Sequence, residues 1–131
     1  MAEWPVIPAI RSNDLARLLS FYIETLGFQL ERGTAEEGHV SISYGPARLM
    51  LESISDLYSP AYNAAIGERS RDRGSATLYI EADDLDGLYG RVTAAGAVVV
   101  DALAARDWGQ REFTLEDADG NWLTFWQKLE G

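Results

Sequence analysis

The chain contains no cysteine, which removes disulfides, thiolate nucleophiles and every thiolate metal site. Its single histidine, His39, excludes multi-histidine metal centres and a two-histidine facial triad within one chain. Positive charge is scarce: 11 Lys and Arg face 21 Asp and Glu, leaving a formal −10 over 131 residues. A nucleic-acid binder needs cations to neutralise phosphates, so that class is excluded. Docking on an anionic membrane is opposed for the same reason. No apolar run approaches the length of a membrane span. The opening MAEWPVIPAI lacks the basic and long apolar segments of a secretory leader, so a cytoplasmic protein is expected. GxSxG, GxGxxG and Walker patterns are missing, and Ser41 and Ser43 have only His39 as a base, on a neighbouring strand position.

What is present is a repeat. The hydrophobic fraction of 47% is that of a globular chain, and the length suits one domain or two small halves. A displacement of about 70 residues lays Ile10 on Ile80, Asp14-Leu15 on Asp84-Leu85, Leu18 on Leu88 and Tyr22 on Val92. With a one-residue gap, Gly27 falls on Gly96. Leu15, Leu18, Leu19, Tyr22 and Leu26 recur at helical spacing, as do Leu85, Leu88, Tyr89, Val92 and Ala95. Asn13 and Asp83 stand where N-caps belong, and the two glycines where helices stop. Strands are expected at Phe28–Glu31, Val40–Tyr44 and Arg48–Ile54, then at Ala97–Asp101, Arg111–Glu116 and Trp122–Gln127. Gly45-Pro46 and Asp117–Asn121 supply hairpin turns, the latter lacking the remaining ligands of a calcium loop.

The expectation is therefore an α+β fold of two βαβββ modules forming a curved mixed sheet, one domain over 1–131. Module 1 covers about 4–55, a connector 56–74 and module 2 about 75–128, with a short helix near Pro60–Ile66. Within the connector, Arg69, Arg71 and Arg73 alternate with acidic residues as a solvated loop does.

Strand alternation assigns faces. Pro8, Ile10, Val40, Ile42, Leu49, Leu51, Leu78, Ile80, Phe113, Leu115, Leu123 and Phe125 should face the helices. The other parity collects Ile7, Ala9, His39, Ser41, Ser43, Met50, Glu52, Thr77, Tyr79, Glu81, Gln110, Glu112, Thr114, Trp122, Thr124 and Trp126. That face is polar and aromatic together, as a ligand-binding cup requires.

These features carry a family resemblance. The segments PVIPAIRSNDLARLLSFYIETLGF, LYIEADDLDGLYGRVTAAGA and DWGQREFTLEDADGNWLTFW resemble the glyoxalase/bleomycin-resistance/extradiol-dioxygenase (vicinal oxygen chelate) superfamily across about residues 5–127. WGQREF…DADGN is similar to its bleomycin-resistance branch, with Ala118 where the family usually has proline. Metal-dependent members place four ligands in the cup. The matching positions are Ile7, Glu52 (Leu51 if the register slips), Thr77 and Thr124, a set that implies no metal and no cofactor.

The resemblance implies a homodimer that sequesters a drug without transforming it. Aromatic faces attract cations and stack on flat rings, and carboxylates pair with ammonium or guanidinium groups. His39, Glu52, Tyr79, Glu81, Trp108, Glu112, Trp122 and Trp126 are therefore the candidate contacts for a cationic, aromatic antibiotic of the bleomycin kind. Trp108 matches the motif tryptophan at the groove rim, and His39 a pocket aromatic of the resistance proteins. Structural roles compete at several positions. Trp122 and Trp126 also suit a dimer interface, Glu81 a helix-start cluster with Asp83 and Asp84, Glu112 a salt bridge to Arg111, and His39 a wall position. A lyase, isomerase or dioxygenase acting on a small metabolite, and a regulatory domain without ligand, are the alternatives from other classes.

Overall fold

The computed structural model describes residues 6–54, 59–69 and 76–129. These form two compact units, Met1–Gly74 and Ser75–Gly131, each built around its own four-stranded sheet.

In unit 1, strand β1 (Ala9–Ser12) leads into helix α1 (Leu15–Ser20), which widens into a π-helical turn over Phe21–Leu26. Strands β2 (Gln29–Thr34), β3 (His39–Tyr44) and β4 (Ala47–Ser53) follow. The sheet order is β1-β4-β3-β2, with β1 parallel to β4 and the other pairs antiparallel. Helix α2 (Pro60–Arg69) closes the described part of the unit. It runs past the anticipated Ile66, while Arg71 and Arg73 lie outside the described residues.

Unit 2 repeats the plan: β5 (Thr77–Glu81), helix α3 (Leu85–Ala94), β6 (Val99–Ala105), β7 (Gln110–Glu116) and β8 (Trp122–Lys128). Its order is β5-β8-β7-β6, with β5 parallel to β8. The parallel pair needs a long crossover, which the helix and the two intervening strands provide.

Both helices start one residue later than the local pattern suggests. Asp14, not Asn13, accepts from the Arg17 amide at 3.1 Å, and Asp84, not Asp83, accepts from Gly87 at 3.0 Å. Ser12 Oγ takes the Asp14 amide, so Asn13 has no capping geometry to satisfy. A Cβ at Gly87 would lie 2.2 Å from the Asp84 carboxylate, so a glycine there lets the cap close. At the other end Gly27 adopts φ 86°, and the Tyr22 carbonyl accepts from both Gly27 and Phe28.

Leu15, Leu18, Tyr22 and Leu26 are buried against Val40, Ile42, Leu49 and Leu51, and Leu85, Leu88 and Val92 accompany Phe113, Leu115, Leu123 and Phe125. Each such side chain contributes about 1.5–3 kcal/mol on leaving water. Pro8, Ile10 and Leu78, also assigned to the core by parity, are only half-buried because they occupy the edge strands or their approach. Ala95, at the end of α3, is exposed.

Strands β2 and β6 both extend beyond their anticipated ends because pairing resumes after register shifts, between Leu30 and Arg32 in one and between Val99 and Ala104 in the other.

Candidate ligand-binding faces

Each sheet turns one face to its helix and leaves the other for chemistry. On unit 1 that second face carries Arg11, His39, Ser41, Met50 and Glu52. The parallel register sets Arg11 beside Glu52, and the antiparallel register sets His39 on its other side. Leu51 is fully buried on the helix side, so Glu52 is the residue presented.

Glu52 is itself only 3% exposed. Its Oε1 lies 2.9 Å from Arg11 Nη2 and its Oε2 3.7 Å from His39 Nε2. The Arg11 approach is a charge contact without hydrogen-bond alignment to Oε1, and the same Nη2 donates to the Tyr62 hydroxyl of α2 at 2.9 Å. His39 Nε2 also sits 3.4 Å from Met50 Sδ. The chain thus supplies Glu52 with its own cation. Arg11 is not among the residues the sequence singles out, since the parity assignment on the first strand reaches only Ile10. Extending the Ile7, Ala9 alternation by one step reaches it.

Beside this cluster lies a concavity of about 300 Å³, lined by Ile7, Glu31, Arg32, Ser41, Arg48, Leu49 and Met50. Glu31 accepts from Ser43 Oγ at 2.6 Å and stands 3.6 Å from Arg48.

On unit 2 the strand register places Thr77 against Trp122, Tyr79 against Thr124 and Glu81 against Trp126. The next strand adds Glu112 against Trp126, Thr114 against Thr124 and Glu116 against Trp122. Tyr79, Trp122 and Trp126 therefore share one face with Glu81, Glu112 and Glu116. Tyr79 is 62% exposed and Trp122 44%, far more than aromatic rings in a core. Trp122 Nε1 donates to Glu116 at 3.3 Å, leaving the ring itself open.

Glu112 is buried, and one of its oxygens accepts from Trp108 Nε1 at 3.0 Å and from Gln110 Nε2 at 2.9 Å. Arg106 Nε is 3.9 Å from the other oxygen and also pairs with Asp101. The alternative pairing of Glu112 with Arg111 is not found among the described residues. Strand alternation sends Arg111 to the opposite side, where it makes two hydrogen bonds, 3.0 and 2.7 Å, to Asp86 of α3. Those bonds hold the Asp86 carboxyl below its ordinary value against a smaller opposing effect of desolvation, and they raise Arg111.

Trp108, 65% exposed, thus presents its ring while its N–H is anchored. Glu81 is exposed at the end of β5, and α3 begins only at Leu85 with Asp84 as its cap. Asp117 is the hub of the β7–β8 turn, accepting from the Asp119 and Asn121 amides at 2.9 Å each.

The positions to which the resemblance assigns metal ligands do not offer a divalent ion a full donor set. Ile7 has no donor, and Glu52 is matched by Arg11. The Thr124 hydroxyl is buried and shared with Thr114 at 2.7 Å. Among the described residues no three His, Cys, Asp or Glu side chains converge as a ligand set.

Two βαβββ units, each with a polar sheet face opposite its helix, define the glyoxalase-type α+β class. The chain belongs to the Glyoxalase/Bleomycin resistance protein/Dioxygenase superfamily, whose family profile matches residues 6–125. It is 28% identical over 129 residues to the bleomycin resistance protein of Geobacillus stearothermophilus, covering 95% of this chain and 96% of that protein. The same values hold for the bleomycin resistance protein of Staphylococcus aureus strain MRSA252. Among solved structures, TioX from Micromonospora sp. ML1 superposes with a TM-score of 0.74 at 21% identity, covering 96% of this chain and 97% of that one. A glyoxalase/bleomycin resistance protein/dioxygenase from Alicyclobacillus acidocaldarius gives 0.67, also at 21%, covering 99% and 96%. These structural likenesses are at the level of the fold.

Proposed function

We propose that this protein is a metal-independent binder that sequesters a cationic, aromatic antibiotic of the bleomycin kind, without transforming it. The observation that carries this reading is the unit 2 face. Tyr79 and Trp122 stand open to solvent beside exposed Glu81, while Trp108 presents its ring from an N–H anchored on buried Glu112. Rings held open in this way stack on flat heteroaromatics, and the adjacent carboxylate favours a cation over an anion. The relatives called bleomycin resistance proteins agree with that ligand class.

Within this reading the eight candidate residues divide by role. Tyr79, Trp108, Trp122 and Trp126 are the stacking surfaces, and Glu81 is the carboxylate open to the ligand. Glu112 holds Trp108 in place, and Glu52 with His39 shapes the wall of unit 1. The whole chain acts as one domain in a cytoplasmic homodimer.

Titration with metal-free bleomycin, read by tryptophan fluorescence, tests the proposal. Saturable quenching is expected, weakened about tenfold or more in Trp108→Ala and Trp126→Ala, the scale of interface hot spots. Absence of saturable quenching sinks it, and so does stoichiometric metal in active protein. Light scattering decides the dimer.

A further inference from the structure

We propose that the concavity on the unit 1 sheet is a site for a small organic acid, with Arg32 as the reader of its carboxylate. This goes beyond the antibiotic reading and does not rest on it, since Arg32, Arg48 and Glu31 have no part in that reading.

The site depends on a bulge. In β2, Leu30 opposes Ile42 but Arg32 opposes Ser41, so one residue, Glu31, is extra. Simple alternation from Gln29, which faces Ser43, would send Arg32 to the helix side. The bulge instead brings it to the face of Ser41 and Met50. Bulges that re-aim a side chain are a recurrent device at functional sites.

The local charge then follows from the contacts. Two guanidiniums, Arg32 and Arg48, and one carboxylate, Glu31, line the concavity. Glu31 is engaged by Ser43 at 2.6 Å and by Arg48 at 3.6 Å. Among the described residues none pairs with the Arg32 guanidinium, which leaves its planar fork for a carboxylate. Ser41 adds a hydroxyl, while Ile7 and Met50 offer apolar wall. Among the described lining residues a cation would meet two guanidiniums and one acid that is already held.

The volume of about 300 Å³ is at the small end for ligand pockets, which suits a fragment-sized molecule with one charged group and a compact apolar body. The chain as a whole carries −10, so anions are repelled at long range. Selection must therefore come from short-range pairing, which survives at physiological salt.

The test uses the full chain, labelled for amide NMR, with phenylacetate, its neutral analogue phenylacetamide, and inorganic phosphate. Phenylacetate should move the amides of residues 31–32, 41 and 48–50 saturably. Phenylacetamide should bind about tenfold more weakly, the scale of one charge-assisted hydrogen bond. Phosphate should also be weaker, lacking the apolar body. Arg32→Gln should abolish the preference for acid over amide, with the spectrum elsewhere unchanged, whereas Arg91→Gln on α3 should leave it intact. Equal binding of acid and amide, shifts confined to other residues, tighter binding of phosphate, or an unaltered preference in Arg32→Gln would each overturn the proposal. Bleomycin quenching is read separately, so failure of either proposal leaves the other standing or falling by itself.

Discussion

The Arg11–Glu52 contact offers a quantitative test of how unit 1 is held. Glu52 is 3% exposed and Arg11 21%, with 2.9 Å between Oε1 and Nη2. At an effective permittivity near 20, the attraction across that gap is about 6 kcal/mol. Withdrawing both ions from water costs several kcal/mol per ion, so the pair as a whole contributes little net stability. Removing one partner is different, because the other stays buried with its charge. Arg11→Met keeps most of the aliphatic stem, yet takes the guanidinium away from the buried carboxylate, with His39 standing at 3.7 Å. The expected loss is about 3 kcal/mol, the low end for broken buried pairs, since Arg11 is partly reached by water. Arg11→Met/Glu52→Met should recover most of it, because two apolar chains of similar volume replace the pair. Tyr62→Phe removes the phenol bond to Arg11 while leaving the ion pair, and should cost under about 1.5 kcal/mol. Urea unfolding followed by tryptophan fluorescence at pH 7 measures all four proteins. If Arg11→Met loses under about 0.5 kcal/mol, or the double variant is as unstable as the single, Glu52 is not held in this way.

Three further outcomes follow from other parts of the molecule. Above a pH of about 5, the Asp86–Arg111 pair should favour the native protein over Asp86→Asn. Because the folded Asp86 value is lowered, that advantage persists until pH falls below the unfolded value of about 3.9 and is lost through the folded one. An NMR titration of Asp86 with its midpoint at or above the ordinary value would contradict this. Phe113→Ala should cost about 3–5 kcal/mol in urea unfolding, since the ring is fully buried between Tyr89 at 5.0 Å and Phe125 at 5.7 Å; a loss below 1.5 kcal/mol would mean the core refills the space. Gly33→Ala should destabilise more than Gly45→Ala, although both have positive φ, because a Cβ at Gly33 would lie 2.2 Å from the His39 carbonyl while Gly45 faces open space. Equal unfolding midpoints for the two variants would refute that distinction.

Much of this architecture is local and could be read along the chain. The repeat, the 3.6-residue stripes of α1 and α3, and the alternation in β3, β4, β7 and β8 each depend on neighbours within a few positions. For that reason Val40, Ile42, Phe113 and Phe125 were assignable to the core, and Tyr79, Trp122 and Trp126 to the opposite face. Partnerships between distant segments were not legible in the same way. Arg11 meets Glu52 only because β1 lies parallel to β4 in one register, across 40 intervening positions of sequence. Arg111 meets Asp86 rather than its neighbour Glu112 because adjacent strand residues point apart and α3 lies over one side. The β2 bulge is the sharpest case. Glu31 and Arg32 carry no local mark of an extra residue, since a bulge is defined by the partner strand it is paired against. The abundance of acid, the absence of cysteine and the single histidine were properties of composition, visible in the chain without a fold. Which carboxylates remain open to a ligand is not: Arg11 takes Glu52, and Trp108 and Gln110 take Glu112. Side-chain chemistry is carried by each residue alone, but its availability is set by whatever the folded chain brings within about 3 Å of it.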